Sequence, residues 1–252
     1  MAVQLQTNTP SQLINAANAA KLNIAMSATA GASAPFSINV WIFANWGSSG
    51  ASTGRTSMVG IYGPSPTPST ALQIGSSTGS GELSCWTWGG GTIISTAVDF
   101  MSSFNNQWVN IGYTYNGTTH SLYLNGNLIN TSNTAQLAGN LQMVCINGYP
   151  TGGSSETWNH IVDTYSLWNR MLTANEMLTI YNATGSRHGI INGQLCSYEF
   201  DEGVEASNVG ASTVLDNSGN SLTLVLTGPG TAPKYTYTSS FADSNIRPVA
   251  CV

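Results

Sequence analysis

Hydrophobic and polar residues alternate along much of this chain, most clearly between Trp108 and Ile129. Within 109–115 the larger side chains all occupy odd positions, which is the period-two pattern of a half-buried β-strand. Asn116-Gly117 then predicts a turn because both residues tolerate positive φ, and Asn125-Gly126 predicts a second one after the alternating run 121–124. The segment therefore predicts a three-stranded meander, which needs an opposing layer to bury its apolar face.

Shorter alternating or apolar runs predict further strands, separated by frequent Gly, Pro and Asn turns. These runs are 22–26, 36–46 with large side chains on both faces, 58–62, 71–74, 83–87, 92–96, 141–146 and 161–168. Near the N-terminus, Val3 and Leu5 predict a short edge strand. Thr9-Pro10 fits the N-cap and first position of a helical turn that would extend to Ala17. So many turns with so few helices indicate an antiparallel sandwich.

One stretch, residues 172–185, predicts a helix. Thr173 and Glu176 fit a capping box, and Leu172 and Met177 occupy the two positions of a hydrophobic staple. The side chains predicted to face inward are Met177, Leu178 and Tyr181. The helix is predicted to end at Gly185.

Composition narrows the classes of partner. The 252 residues suit one large β-sandwich, and only 7% are charged, against about 25% in an average soluble protein. A surface built from neutral hydrogen-bonding groups suits an exterior structural protein or a sugar binder. Six Lys and Arg against eleven Asp and Glu provide no basic stripe for nucleic acid. No window approaches about 18 consecutive apolar residues, so no membrane span is expected.

Three of these segments, in this order, resemble the laminin-G-like members of the concanavalin A-like lectin/glucanase superfamily. FSINVW at 36–41 resembles its first long strand, 108–129 its Asn-Gly turn and Leu-Tyr-Leu-Asn-Gly hairpin, and 162–181 its strand, basic turn and closing helix. The resemblance implies an all-β fold, a concanavalin A-like jelly-roll sandwich of two antiparallel sheets with one short helix and extended terminal segments. Functions within the superfamily are mixed, so the resemblance implies little about activity.

Three regions follow from this reading. Residues 1–35 form an N-terminal arm and edge strand, either packed on their own domain or laid across a neighbouring subunit. Residues 36–185 form the sandwich core. In 186–252, the stretches 198–203 and 215–224 resemble the tract that usually opens such a domain, so this segment either completes the sandwich or reaches a neighbouring subunit.

The N-terminal sequence and the cysteines bear on the compartment. Residues 1–12 contain no basic region followed by an apolar stretch, so we expect a chain made and kept in a host cytoplasm; a processed chain that has lost its signal is the alternative. The four cysteines are Cys85, Cys145, Cys196 and Cys251. They include no C-x-x-C pair, and we expect buried free thiols, although two disulfides are possible.

The sequence favours a protein without catalytic activity. Glu199, Asp201, Glu202 and Glu205 approach the glucanase pattern of the superfamily, but the interval from Asp201 to Glu205 is one residue too long, which favours an acidic turn.

Nor does the sequence specify a cofactor. The three histidines lack ligand spacing, and calcium at Asp216 with Asn217 or Asp163 stays open, although the dense acidic spacing of a calcium loop is missing.

A sugar site would need aromatic faces with nearby hydrogen-bonding groups. The candidate glycan contacts in or beside loops are Trp46, Trp86, Trp88, Tyr149 and Trp158. Trp86 and Trp88 share parity and hence one sheet face. The alternative is that several of these tryptophans fill the sandwich.

Low charge, the missing signal and surplus terminal segments favour a non-enzymatic virion surface protein, a bacteriophage capsid decoration or cement protein. It would be assembled in the host cytoplasm, displayed on the particle exterior, and would contact the major capsid protein and copies of itself as a homo-oligomer. The alternative is a carbohydrate-binding, lectin-like module of a tail fibre or an extracellular glycan binder.

Overall fold

The structure of the chain is a computed structural model, which describes residues 2–5, 12–15, 21–26, 33–44, 55–63, 71–87, 91–133, 139–148, 156, 160–183, 189–200, 213–227 and 234–236. These residues form eighteen strands, one 3₁₀ helix and one α-helix.

The first strands along the chain are β1 (Ala2–Leu5), β2 (Gln12–Asn15), β3 (Ile24–Met26), β4 (Phe36–Ala44), β5 (Thr56–Tyr62), β6 (Ala71–Ser76), β7 (Ser84–Thr87) and β8 (Gly91–Ser95). The 3₁₀ helix Phe100–Phe104 precedes β9 (Gln107–Tyr115), β10 (His120–Leu124), β11 (Asn127–Ser132), β12 (Gly139–Leu141), β13 (Met143–Ile146) and β14 (His160–Trp168). The helix α1 (Ala174–Asn182) is followed by β15 (Gln194–Tyr198), β16 (Thr213–Val214), β17 (Leu224–Thr227) and β18 (Lys234–Thr236).

Two large antiparallel sheets form the sandwich. The first has the order β11-β10-β9-β4-β14-β1-β18, with β15 also paired to β14. The second has the order β16-β17-β2-β13-β5-β6-β7-β8, and β12 pairs with β3 separately. The predicted all-β fold with one α-helix is confirmed within the described residues, as is the meander of β9, β10 and β11.

The core lies between the sheets, and the sequence parity predicts which side chains enter it. Strands β4 and β9 contribute Phe36, Ile38, Val40, Ile42, Val109, Ile111, Tyr113 and Tyr115, all buried in one cluster. The second sheet contributes Val59, Ile61, Leu72, Ile74, Cys85 and Val144 to the same cluster. Alternate residues of these second-sheet strands therefore face away from the core.

The expectation that β9 is only half-buried is wrong. Asn110 and Thr114 on its other face are 1% and 0% exposed. A Cβ added to Gly112 would lie 2.9 Å from Met177 Sδ, so α1 packs over this face. The amide of Asn110 exchanges hydrogen bonds of 2.9 and 2.8 Å with Asn39, which gives each of these two buried amides a partner.

Helix α1 begins as predicted and packs differently. Thr173 and Glu176 form the capping box, and a 2.6 Å ion pair with Arg170 helps to hold the pKa of the Glu176 carboxyl at about 2. The buried residues of the helix are Met177 and Ile180. Leu178 is 41% exposed, so its predicted inward position is wrong. The helix ends at Asn182, and Gly185 lies outside the described residues.

The terminal segments add strands to both sheets. Residues 12–15 form β2 between β13 and β17, so the predicted helical turn is wrong there: pairing on both sides outweighs the local Thr-Pro signal. Strand β1 is not an edge strand, because it pairs with both β14 and β18. Strands β15 and β17 pair with β14 and β2 of the same chain. Whether 186–252 also reaches a neighbouring subunit stays a prediction.

Candidate functional site

The outward face of the second sheet carries a row of residues aligned by strand register. Cys145 is paired with Gly60, Gly60 with Gln73, Gln73 with Trp86, and Trp86 with Thr92. The row therefore crosses five adjacent strands, from β13 to β8, perpendicular to their direction.

One half of this row is filled by buried side chains. Gln73 Nε2 donates to Glu156 Oε2 at 2.5 Å, and the Ser57 amide donates to the Glu156 carbonyl at 2.8 Å. The Tyr62 ring covers Gly60, where an added Cβ would lie 2.6 Å from Tyr62 Cε2. Burial, followed by the nearby Cys145, raises the pKa of Tyr62 well above its usual value, so its hydroxyl stays protonated and donates to the Gly148 carbonyl at 2.8 Å.

The other half of the row opens into a pocket of about 230 Å³. Its lining residues are Arg55, Ser77, Trp86, Thr87, Gly91 and Thr92. Trp86 is 2% exposed, and its indole N–H has no hydrogen-bond acceptor in the described part of the chain. Arg55, immediately before β5, is exposed at the pocket. An aromatic side chain, a guanidinium and hydroxyl groups therefore meet in one depression.

A buried carboxylate contacts the lining residue Ser77. Glu82, 2% exposed, accepts hydrogen bonds from the Ser76 hydroxyl at 2.8 Å, the Ser77 hydroxyl at 3.3 Å, the Thr78 amide at 2.7 Å and the Ser80 amide at 3.1 Å. Burial opposes ionisation, but these hydrogen bonds outweigh it and lower the pKa of Glu82 below its usual value. The carboxylate is therefore ionised at neutral pH and can only accept hydrogen bonds.

The ionised Glu82 sets the direction of the neighbouring hydroxyl groups. Ser77 Oγ donates its proton to Glu82 Oε1, so it must accept at its 3.3 Å contact with Thr92 Oγ1. Thr92 is then the donor in that contact, and its remaining lone pairs are available to a ligand. The pocket thus offers an acceptor at Thr92 and a donor at Arg55.

The structure places one predicted aromatic residue, Trp86, at this pocket. Trp46, Trp88, Tyr149 and Trp158 lie outside the described residues, so the glycan contacts stay a prediction. Other tryptophans follow the packing alternative: Trp168 is fully buried beneath α1, and Trp41 stacks on Tyr181 with ring centroids 5.6 Å apart. Sequence reasoning missed Arg55, Ser77 and Thr92, because register alone joins them to Trp86.

The predicted calcium ligand Asp216 organises a turn. Its Oδ1 accepts from the Ser197 and Ser218 amides, and its Oδ2 from the Ser218 hydroxyl and the Leu222 amide, each at 2.9 Å. Across the described ranges no group of three His, Cys, Asp or Glu residues could hold a metal ion. Calcium at Asp216 with Asn217 or Asp163 stays a prediction.

Three of the cysteines behave as predicted. Cys85, Cys145 and Cys196 are free and buried, and burial raises the pKa of each thiol. Such thiols are unreactive. Cys251 lies outside the described residues, as do Asp201, Glu202 and Glu205 of the acidic stretch.

Comparison with known families identifies the fold. Residues 16–177 match the family model of the laminin-G type described as the concanavalin A-like lectin/glucanases superfamily. The chain belongs to this superfamily. The match begins just after β2 and ends within α1, so the superfamily assignment covers β3 to β14, with strands of both sheets, and the first four residues of α1. No curated protein sequence matches the chain.

Solved structures share the fold at low sequence identity. A candidate carbohydrate-binding protein of Bacteroides ovatus gives a TM-score of 0.51 at 14% identity, over 91% of this chain and 61% of that one. The binding domain of Paraclostridial Mosquitocidal Protein 1 gives 0.50 at 18% identity, over 72% and 43%. A Trypanosoma rangeli sialidase mutant with trans-sialidase activity gives 0.46 at 14% identity, over 59% and 23%. The chain thus spans less than two thirds of each of these proteins.

Two of these neighbours, those from Bacteroides ovatus and the mosquitocidal protein, are described as a binding protein and a binding domain. None of the helices that the structure describes is long and apolar enough to cross a membrane.

Proposed function

We propose that the protein is a non-enzymatic glycan-binding module, and that the pocket beside Trp86 is its site. The observation that carries the proposal is the meeting of the Trp86 side chain, the exposed Arg55 donor and the Thr92 acceptor in one pocket of about 230 Å³. Sugar hydroxyl groups both donate and accept hydrogen bonds, and sugar C–H faces pack on aromatic rings.

The surroundings support the same proposal. A chain with 7% charged residues presents neutral polar groups, which match the neutral hydroxyl groups of most glycans. The Bacteroides ovatus protein, whose fold is shared over 91% of this chain, is itself a candidate carbohydrate-binding protein. Among the described pocket residues none is acidic, so a pair of carboxylates for glycoside hydrolysis is missing from the lining.

The test removes one hydroxyl group from the pocket lining by a substitution that keeps the shape of the side chain. We expect the wild-type protein to bind members of a glycan array, and Thr92→Val to weaken binding of the best saccharide about 2- to 10-fold, because one hydrogen bond to the ligand is lost. Isothermal titration calorimetry measures the change. Thr131→Val, at an exposed threonine of β11 that does not line the pocket, is the matched control and should bind like wild type. A folded wild-type protein that binds no saccharide would contradict the proposal.

Capsid decoration is the second candidate. Its support is the low charge together with seven large apolar side chains at least 38% exposed, among them Val98 at 63% and Leu128 at 52%. Because β1 and β2 complete sheets of their own chain, they are not available to grip a neighbour. The candidate segment for that role is therefore residues 237–252, which follow β18.

A deletion tests the decoration role. We expect the chain lacking residues 237–252 to keep its melting temperature and to lose co-sedimentation with purified capsids, since no described strand is removed. The variant Leu128→Ser, in the edge strand β11, tests whether the exposed apolar surface contributes. Equal capsid recovery for full-length and truncated chains would remove the basis for a tail-mediated contact.

A further inference from the structure

The pocket carries a positive charge that no described residue neutralises. Three basic side chains are described: Arg170 pairs with Glu176 at 2.6 Å, and Lys21 Nζ donates to the Asn220 carbonyl at 2.6 Å. Arg55 has no such partner among the described residues. A protein with a net charge of -5 thus places one of its six basic residues at the pocket, without an ion-pair partner in the described ranges.

A buried carboxylate, Glu82, is hydrogen-bonded to the pocket lining. Glu82 contacts the lining through Ser77 and is 2% exposed, with its oxygens occupied by hydroxyl and amide donors. Its charge is spread over the turn at 76–80 by these hydrogen bonds and is not exposed to the pocket opening. A ligand at the opening therefore meets the Arg55 guanidinium, which is charged at all physiological pH values and forms paired hydrogen bonds with oxyanions.

The two sides of the pocket differ in what they can bind. Arg55 donates hydrogen bonds, whereas Thr92 accepts one through the proton order that Glu82 imposes. A neutral sugar offers the guanidinium only uncharged hydroxyl oxygens. A sugar that carries an oxyanion beside a free hydroxyl uses both groups, and its bond to the guanidinium is charge-assisted.

We propose that the ligand is an acidic glycan whose oxyanion is bound by Arg55 and whose neighbouring hydroxyl donates to Thr92. This inference rests on the proposed glycan-binding function and specifies the class of sugar. A carboxylate of a uronic acid and a sulfate ester share the required chemistry, so the experiment compares them separately.

The experiment uses saccharides that differ only in charge. Tetrasaccharides of chondroitin, alginate and polygalacturonate are each titrated beside their carboxyl-reduced neutral counterparts, with chondroitin 6-sulfate as the sulfated arm and gluco-, manno- and galacto-oligosaccharides as a neutral panel. We expect at least one acidic member to bind about 10- to 100-fold more tightly than its neutral counterpart, the value of one charge-assisted pair. Its affinity should fall between 50 and 500 mM NaCl.

Substitutions assign the effect to Arg55. We expect Arg55→Gln to bind the acidic saccharide and its neutral counterpart about equally, with no salt dependence. Arg55→Lys should keep part of the preference and part of the salt dependence. Lys21→Gln removes an exposed charge outside the pocket and should leave the preference unchanged.

The outcomes separate the two proposals. Equal binding of acidic and neutral saccharides, unaffected by Arg55→Gln, would overturn the acidic ligand and leave glycan binding intact. Binding to none of the saccharides by the folded protein would overturn both.

Discussion

Gly75→Ala is expected to lower the free energy of unfolding by more than about 3 kcal/mol, a large effect for one methyl group. A Cβ at Gly75 would lie 1.9 Å from the Thr56 carbonyl oxygen and 3.2 Å from the Met58 amide nitrogen. Both are backbone atoms, so the clash cannot be relieved by a side-chain rotation. The register between β5 and β6 shifts at this point, and the resulting bulge brings the β5 backbone over Gly75.

Gly112→Ala is the matched control in another strand. Its added Cβ would meet Met177 Sδ at 2.9 Å, near the end of a flexible side chain that can move. We expect a loss of about 1 kcal/mol, with urea denaturation as the measurement for both variants. A smaller loss for Gly75→Ala than for Gly112→Ala would contradict this account of the bulge. Because Arg55 immediately precedes β5, distortion of the bulge should also weaken ligand binding at the pocket.

Glu82→Gln is expected to cost about 2–4 kcal/mol of stability, since a buried acceptor of four hydrogen bonds becomes a neutral amide whose NH₂ group faces donors. Glu199→Gln is the control, because Glu199 is half-buried and outside this network. It should change the free energy of unfolding by no more than about 0.5 kcal/mol.

The pH dependence of stability shows whether the charge of Glu82 causes the loss. The pKa of Glu82 is lower in the folded protein than its ordinary value, so its ionisation stabilises the fold above about pH 4.3 and this contribution disappears as pH falls through the folded pKa.

The difference in stability between wild type and Glu82→Gln should therefore shrink as the pH is lowered from 7 to 3. The Glu176 carboxyl, with its pKa of about 2, titrates alike in both proteins and cancels in the difference. A difference that stays constant over this pH range would show that the carboxylate charge contributes nothing and that shape alone matters.

Much of the sandwich could be predicted because alternation along a strand directly reports which side chains are buried. The odd positions of 109–115 enter the core as that pattern requires. The helical turn predicted at residues 12–15 was wrong because a Thr-Pro signal is local. Strand β2 is instead determined by partners more than 100 residues away in sequence. Helical spacing alone could not predict which of Leu178 and Ile180 is buried, because the sheet beneath α1 determines which face of the helix is covered.

The candidate site was harder to predict than the fold. The parity of the sequence pattern predicted that Trp86 lies on a sheet face. The pairing of Trp86 with Thr92 across β7 and β8 then brings together two of the residues that line the pocket. Arg55 and Ser77 reach that wall from the ends of two other strands. Turn lengths and a bulge set these alignments, and neither can be derived from the residue pattern. The sequence feature that could have drawn attention to Arg55 is that the chain contains only six basic residues.

The interleaving of the two terminal segments also constrains biosynthesis. Strand β1 is flanked by β14 and β18, and β2 by β13 and β17. A ribosome adding about 5–20 residues per second exposes β1 and β2 long before those partners exist. During that interval their backbone N–H and C=O groups can pair with another nascent polypeptide, so translation speed and chaperone occupancy should govern how much native protein a cell obtains.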